Sequence, residues 1–166
     1  VEKGTLDTLI EWMDKHPRVG IASVKLLDEN GALNQKTLPR RFPTLWNIVA
    51  LFFKLPHVFP RLLDHYLMRD LDPEKEYEVD SVRGACMMVR REIYEQLGFA
   101  FDPRYFIWFE DVDLCREAKR LGWHVMYTPV ISCVDHVGKS FARKNFWWKQ
   151  WHFFRSAVKY FWKWGL

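Results

Sequence analysis

Between residues 77 and 134 the apolar residues change period repeatedly over short distances, and this alternation leaves few architectures open. Residues 77–82 alternate like a strand and residues 85–89 form a second. Residues 91–97 then follow a helical spacing stopped by Gly98, and residues 110–121 a second helix stopped by Gly122. Strands at 123–127 and 130–134 flank Pro129. Short strands interleaved with helices specify a mixed α/β fold. Upstream, Leu6, Leu9, Ile10 and Met13 lie on one helical face that ends before His16-Pro17. Residues 19–27 read as a buried strand, Asp28-Glu29-Asn30-Gly31 as a turn, and 32–38 as a strand returning in a hairpin. A helix and a mid-sheet strand are an unusual opening for an α/β domain, so a preceding half is expected.

Residues 39–72 have a different texture. Prolines at 39, 43, 56 and 60 divide them into short helical pieces, 44–54 and 61–68, rich in Leu, Phe and Trp. This segment reads as a Pro-rich helical flap. The three cysteines, Cys86, Cys115 and Cys133, form no CxxC pair, which argues for reduced thiols over a disulfide framework or zinc knuckle. No uncharged apolar run reaches the roughly 18 residues a membrane span needs.

Charge and aromatic content are both concentrated at the end of the chain. From Lys139 onward there are seven Lys or Arg and no Asp or Glu, so the net +4 hides a body of about −3. Five of the nine tryptophans fall between Trp147 and Trp164. A helix over 145–164 places Trp147, Trp148, Trp151, Phe154, Val158, Phe161 and Trp162 on one face and Lys149, His152, Ser156, Lys159 and Lys163 on the other. Trp147, Trp148, Trp151, Lys149, Lys159 and Lys163 are therefore expected at an anionic membrane surface; packing of the stripe on the domain or on a missing half is the competing account. No nucleic-acid motif accompanies the basic tail, and no nucleic-acid partner is expected.

The stretch that carries chemistry is Phe106-Ile-Trp-Phe-Glu110-Asp111-Val-Asp113-Leu-Cys-Arg116. Three carboxylates open a helix directly after an aromatic run. They suit the helix dipole as simple capping groups. They equally suit a carboxylate held ionised at the rim of a pocket, ready to take a proton from a sugar hydroxyl. Spacing alone does not choose.

Five ordered blocks do choose. They are Arg83-Gly-Ala-Cys-Met-Met-Val-Arg90-Arg-Glu, Phe101-Asp102-Pro-Arg-Tyr-Phe106, Phe109-Glu-Asp-Val-Asp-Leu-Cys-Arg116, Leu121-Gly-Trp and Asp135-His136-Val-Gly138-Lys-Ser140. Together they resemble family 2 inverting glycosyltransferases of the GT-A fold, and most of all the rhamnosyltransferase-like branch that builds bacterial cell-surface polysaccharides. The resemblance implies a partial GT-A sheet with flanking helices over residues 1–140, the acceptor and catalytic-base half of the domain, followed by an amphipathic tail over 141–166. It implies Asp111 as catalytic base, with Glu110 positioning acceptor or base. Asp113 falls among the substrate-binding positions, with helix capping or pairing to Arg116 as its structural reading. His136 falls where many members complete a divalent-metal site for Mg or Mn. Lys139 and Ser140 lie within reach of phosphate or on a solvated loop. Gly84 and Ala85 stand where small residues are needed near the donor sugar. Arg83 contacts phosphate or pairs with the acidic cluster, and Trp108 lines the acceptor pocket or packs in the core.

The implied partners are a nucleotide-sugar donor, a saccharide or lipid-linked acceptor, the inner face of a bacterial cell membrane, and a second copy of the chain. The family's nucleotide-binding βαβ unit and its Asp-rich metal motif have no match here, so the fragment alone is expected to be inactive. A non-catalytic docking or assembly module is the alternative.

Overall fold

The computed structural model describes residues 5–135 and 145–165. His136, Lys139 and Ser140 lie outside the described residues. The order of elements is α1 (Thr5–Lys15), β1 (Val19–Leu27), α2 (Leu45–Phe52), β2 (Tyr77–Glu78), β3 (Met87–Val89), α3 (Arg91–Leu97), α4 (Glu110–Arg120), β4 (His124–Val134) and α5 (Phe146–Trp164). One four-stranded sheet runs in the order β2-β4-β1-β3. Its central pair, β1 and β4, is parallel, and both outer strands are antiparallel to their neighbours.

Alternation along β1 sends side chains to two cores. Ala22, Val24 and Leu26 meet Leu9, Trp12 and Met13 of α1 on one face. Ile21, Val125 and Tyr127 meet Ile93 of α3 and Leu114, Cys115 and Ala118 of α4 on the other. Each fully buried aliphatic side chain in these layers contributes about 1.5–3 kcal/mol relative to exposure. Gly20 lets α3 and β4 close on the sheet: a Cβ there would stand 2.6 Å from both Ile93 Cδ1 and Trp123 Cβ. Arg90 ends α1, its guanidinium donating to the carbonyls of Met13, His16 and Val19.

In the sheet and its connections the structure departs from the sequence reading in three places. The return strand expected at 32–38 is a single bridge from Leu27 to Leu33 and a 3-10 turn at Gln35–Thr37. Asp28 causes this, because its carboxylate accepts from the N–H groups of Asn30 and Ala32 and closes the turn on itself. The strand expected at 77–82 splits. Tyr77–Glu78 pairs with β4, whereas Ser81 exchanges backbone hydrogen bonds of 2.9 Å with Arg40 of the flap. The two strands expected around Pro129 are one strand, β4, whose register against β1 jumps from Thr128 to Ser132. Proline has no N–H to give the ladder, so it sits in the irregularity.

The flap is built on α2, capped reciprocally by Thr44 and Asn47, and on 3-10 turns at Leu55–His57 and Pro60–Leu63. The second expected helix is reduced to a turn. Ala50, Leu63 and Tyr66 bury together beneath it. Helix α5 is capped by Asn145, whose side chain accepts from Trp148 N, and its Ser156 donates to the Ile107 carbonyl at 2.7 Å.

Candidate active site

The two residues before α4, Trp108 and Phe109, both have left-handed backbone, with φ of 59° and 69°. Non-glycine residues adopt this conformation at a cost of about 1–3 kcal/mol each. Ring packing holds them there: Phe109 lies 5.6 Å from Phe153 and 5.3 Å from Tyr160, and Trp108 lies 6.0 Å from Phe153. The double turn starts α4 abruptly, without a side-chain cap, and puts Glu110 and Asp111 in its first turn.

Asp111 Oδ1 accepts from its neighbour Val112 N at 2.8 Å, and Oδ2 from Gly84 N at 3.2 Å. Both oxygens of Asp111 are thus met by backbone N–H donors. Glu110 has the opposite environment. Its Oε2 is buried and, among the described residues, has no hydrogen-bond partner. Burial, reinforced by the charge of Asp111, pushes the Glu110 carboxyl above the usual glutamate range. Adjacent carboxyls in contrasting environments are a common basis for dividing acid–base roles.

Cations stand around this pair. Burial lowers the pKa of Arg83, with the charge of Arg40 adding to the effect, while Asp111 and Asp135 act in the other direction. The Arg40 guanidinium lies 6.0 Å from the centroid of the Tyr66 ring. Burial raises the Tyr66 phenol; Arg40 opposes that shift and Asp111 adds to it. Arg40 and Tyr66 were not legible as site residues, since they come from the flap, far from the blocks that carry the resemblance. The one signal was the position of Arg40 directly after Pro39, which gave no chemistry. The Arg40–Ser81 bridge carries it to the loop of Arg83 and Gly84.

Of the sequence-predicted residues, the structure brings Arg83, Gly84, Glu110 and Asp111 together. Ala85 is exposed beside them. A Cβ on Gly84 would meet Asp111 Cβ at 3.7 Å, an ordinary contact, so its contribution is the N–H and not a lack of side chain. Trp108 packs toward α5 through Phe153.

Asp113 is removed from the substrate-binding set. It is fully buried and accepts from Lys163 Nζ at 2.7 Å, Trp164 Nε1 at 2.7 Å and the Tyr105 hydroxyl at 3.2 Å. Nor does it pair with Arg116, which donates to the Tyr160 hydroxyl at 2.9 Å. Lys163 leaves the membrane-contact set for the same reason: it is enclosed by Asp102, Asp113 and Glu117 at 3.2, 2.7 and 2.9 Å. Burial works against its charge, but the hydrogen bonds it donates to Asp113 and Glu117 prevail and raise its pKa. Lys159 donates to the Arg104 carbonyl. The polar face of α5 is thus turned inward. Trp147 is 78% exposed and Trp151 59%, while Trp148 meets Phe106 edge-on and His152 at a tilt, and Lys149 is half-buried.

Among the described residues, no group of three His, Cys, Asp or Glu is placed to hold a metal ion. No described helix is long and apolar enough to cross a membrane.

Residues 3–153 match the family model for glycosyltransferase like family 2. The chain belongs to that family. It is 30% identical over 142 residues to an N-acetylglucosaminyl-diphospho-decaprenol L-rhamnosyltransferase of Mycobacterium tuberculosis, a match covering 84% of this chain and 45% of the relative. It is 32% identical over 85 residues to the rhamnosyltransferase WbbL of Escherichia coli, covering 49% and 30% of the two chains. A low-salt glycan biosynthesis hexosyltransferase of Haloferax volcanii is 28% identical over 67 residues, or 39% and 22%. The chain therefore spans a little under half the length of the mycobacterial relative. As a family 2 member its sheet and flanking helices are part of a GT-A domain, and the relatives are rhamnosyl- and hexosyltransferases.

Proposed function

We propose that this chain is the acceptor-side half of an enzyme that transfers a sugar, with rhamnose as first choice, from a nucleotide sugar to a saccharide or lipid-linked acceptor in cell-surface polysaccharide synthesis. The observation that carries the proposal is the Glu110–Asp111 pair. Asp111 receives a backbone N–H donor on each carboxylate oxygen, beside a buried glutamate oxygen that has no partner among the described residues.

In this reading Asp111 removes the proton from the acceptor hydroxyl. The freed oxygen pair forms the bond to the anomeric carbon as the bond from that carbon to the diphosphate oxygen breaks on the opposite face, so configuration inverts. The unpartnered Glu110 oxygen is suited to a hydroxyl of the acceptor sugar. Arg83 and Arg40 supply positive potential on the side where a diphosphate carries charge. The rest of the longer protein would provide the nucleotide site, and the fragment alone would be inactive. A Mg or Mn ion, with His136 among its ligands, would belong to that complete enzyme; among the described residues no group of three ligands is placed to hold it.

The lipid-linked form of the acceptor is supported by the name of the mycobacterial relative and by the exposed apolar surface. Trp147 and Trp151 of α5 are exposed, as are Trp46, Val58 and Phe59 of the flap. This surface would rest on the inner face of the cell membrane. With Lys159 and Lys163 engaged elsewhere, attachment relies on aromatic insertion more than on charge. The same surface favours the second reading, a docking or assembly module that forms a homo-oligomer.

The test is the stereochemistry of transfer by the longer protein. An α-linked nucleotide sugar should yield a β-linked product by NMR, and β an α product. Retention, or no transfer from any nucleotide sugar, would overturn the proposal.

A further inference from the structure

Contacts between α2 and α5 run in opposite directions along the two helices. Ile48 packs with Ala157 and Tyr160, Phe52 lies 6.2 Å from Phe154, and Lys54 Nζ lies 4.6 Å from the centroid of Phe146. The antiparallel pair does not close. It leaves a groove of about 540 Å³ whose walls, including Leu45, Phe53, Phe153, Val158 and Trp162, carry only aliphatic and aromatic side chains. This lies within the span of small-molecule sites, about 300–1,000 Å³.

The chemistry of the walls selects the occupant. A sugar, a nucleotide or a peptide backbone would lose water from its polar groups there and find no partner in return. A hydrocarbon chain loses nothing. Two further features indicate which hydrocarbon. Phe153 is shared between the groove and the site, since it also contacts Trp108 and Phe109, the residues directly before Glu110 and Asp111. The groove is thus continuous with the aromatic wall of the candidate site. Lys54 stands at the end of α2, where a left-handed turn (φ 54°) sets its ammonium over Phe146. A cation beside a hydrocarbon channel complements a chain that begins in phosphate.

We propose that the α2–α5 groove seats the first isoprene units of a polyprenyl-diphosphate acceptor, with the attached saccharide reaching Asp111. This rests on the lipid-linked reading above and locates the lipid on the protein. Val158 and Phe53 are 51% and 67% exposed at the groove, so substituting them tests binding with little risk to folding.

The experiment titrates the chain with geranylgeranyl diphosphate by tryptophan fluorescence, alongside inorganic pyrophosphate and vesicles of phosphatidylethanolamine and phosphatidylglycerol. Val158→Asp and Phe53→Ser should each weaken geranylgeranyl diphosphate at least tenfold and leave pyrophosphate and vesicle binding within twofold. Unchanged affinity for geranylgeranyl diphosphate overturns the proposal. Loss of vesicle binding alone would assign the groove to the bilayer. A dimer in sedimentation that both variants dissolve would assign it to a second copy. In the longer protein, the same variants should reduce kcat/KM for a lipid-linked acceptor and spare a lipid-free one. If the unaltered enzyme uses both acceptors equally, the lipid-linked reading falls; if it prefers lipid and the variants keep that preference, only the groove assignment falls.

Discussion

Replacing Lys163 with methionine removes an ammonium that faces Asp102, Asp113 and Glu117 together, and tests whether these charges hold α5 in place. The side chains involved are 12% exposed for Lys163 and 4%, 1% and 9% for the three carboxylates, so solvent screens them little. Breaking a buried pair by removing one partner costs about 3–5 kcal/mol, because a buried charge is left uncompensated. Here Arg104 stays with Asp102 and Arg120 with Glu117, so Asp113 carries most of the loss. Among the described residues, its side chain keeps the neutral hydrogen-bond donors Tyr105 and Trp164. The expected loss is therefore near the lower limit, about 3 kcal/mol at pH 7. An Arg91→Ala control on the exposed Arg91–Glu95 pair should cost below about 1 kcal/mol.

The sign of the pH dependence follows from the directions of the shifts. Arg104 hydrogen bonding holds Asp102 well below its ordinary 3.8. Burial alone would raise Glu117, but Lys163 and Arg120 bring it below its ordinary 4.5. Both contributions are complete above about pH 5 and disappear as pH falls through the lowered folded values. Lys163, raised above 10.5, contributes fully below that value and loses its contribution as pH rises through its folded pKa. The deficit of Lys163→Met should accordingly shrink as pH falls below about 5, where the contributions of Asp102 and Glu117 disappear. Urea unfolding followed by tryptophan fluorescence reads both quantities. A loss under about 1 kcal/mol, or a deficit that grows on acidification, would refute the reasoning.

Gly20→Ala should destabilise the chain by about 1–3 kcal/mol in urea unfolding, since its Cβ meets Ile93 and Trp123 at 2.6 Å. Thr44→Ala removes the cap of α2 and should cost about 1 kcal/mol in the same assay. In the longer enzyme, Glu110→Gln should raise KM for the acceptor and leave donor affinity, measured by calorimetry, unchanged.

Much of the architecture was legible because its signals are local. β1 and α3 have the bounds that their residues suggest, and Gly98 ends α3 with φ of +76°. Asp111 was legible because the blocks around it have a fixed order. What depends on distant pairing was not. No local pattern shows that residue 81 pairs with residue 40, which brings Arg40 into the site. The orientation of α5 was also hidden. Hydrophobic periodicity identifies an amphipathic helix but not which face turns inward, and three carboxylates beneath Lys163 outweigh the aromatic stripe. Asp113, two positions from Asp111, points to the opposite side of α4's first turn, so a run of acidic residues in sequence divides into one group for the site and one for the core.

The central claim is tested most directly by Asp111→Asn in the longer protein, which keeps shape and removes basicity. The account expects kcat to fall by about 10²–10⁴ while the donor dissociation constant stays within twofold. Turnover within tenfold of the unaltered enzyme would contradict it.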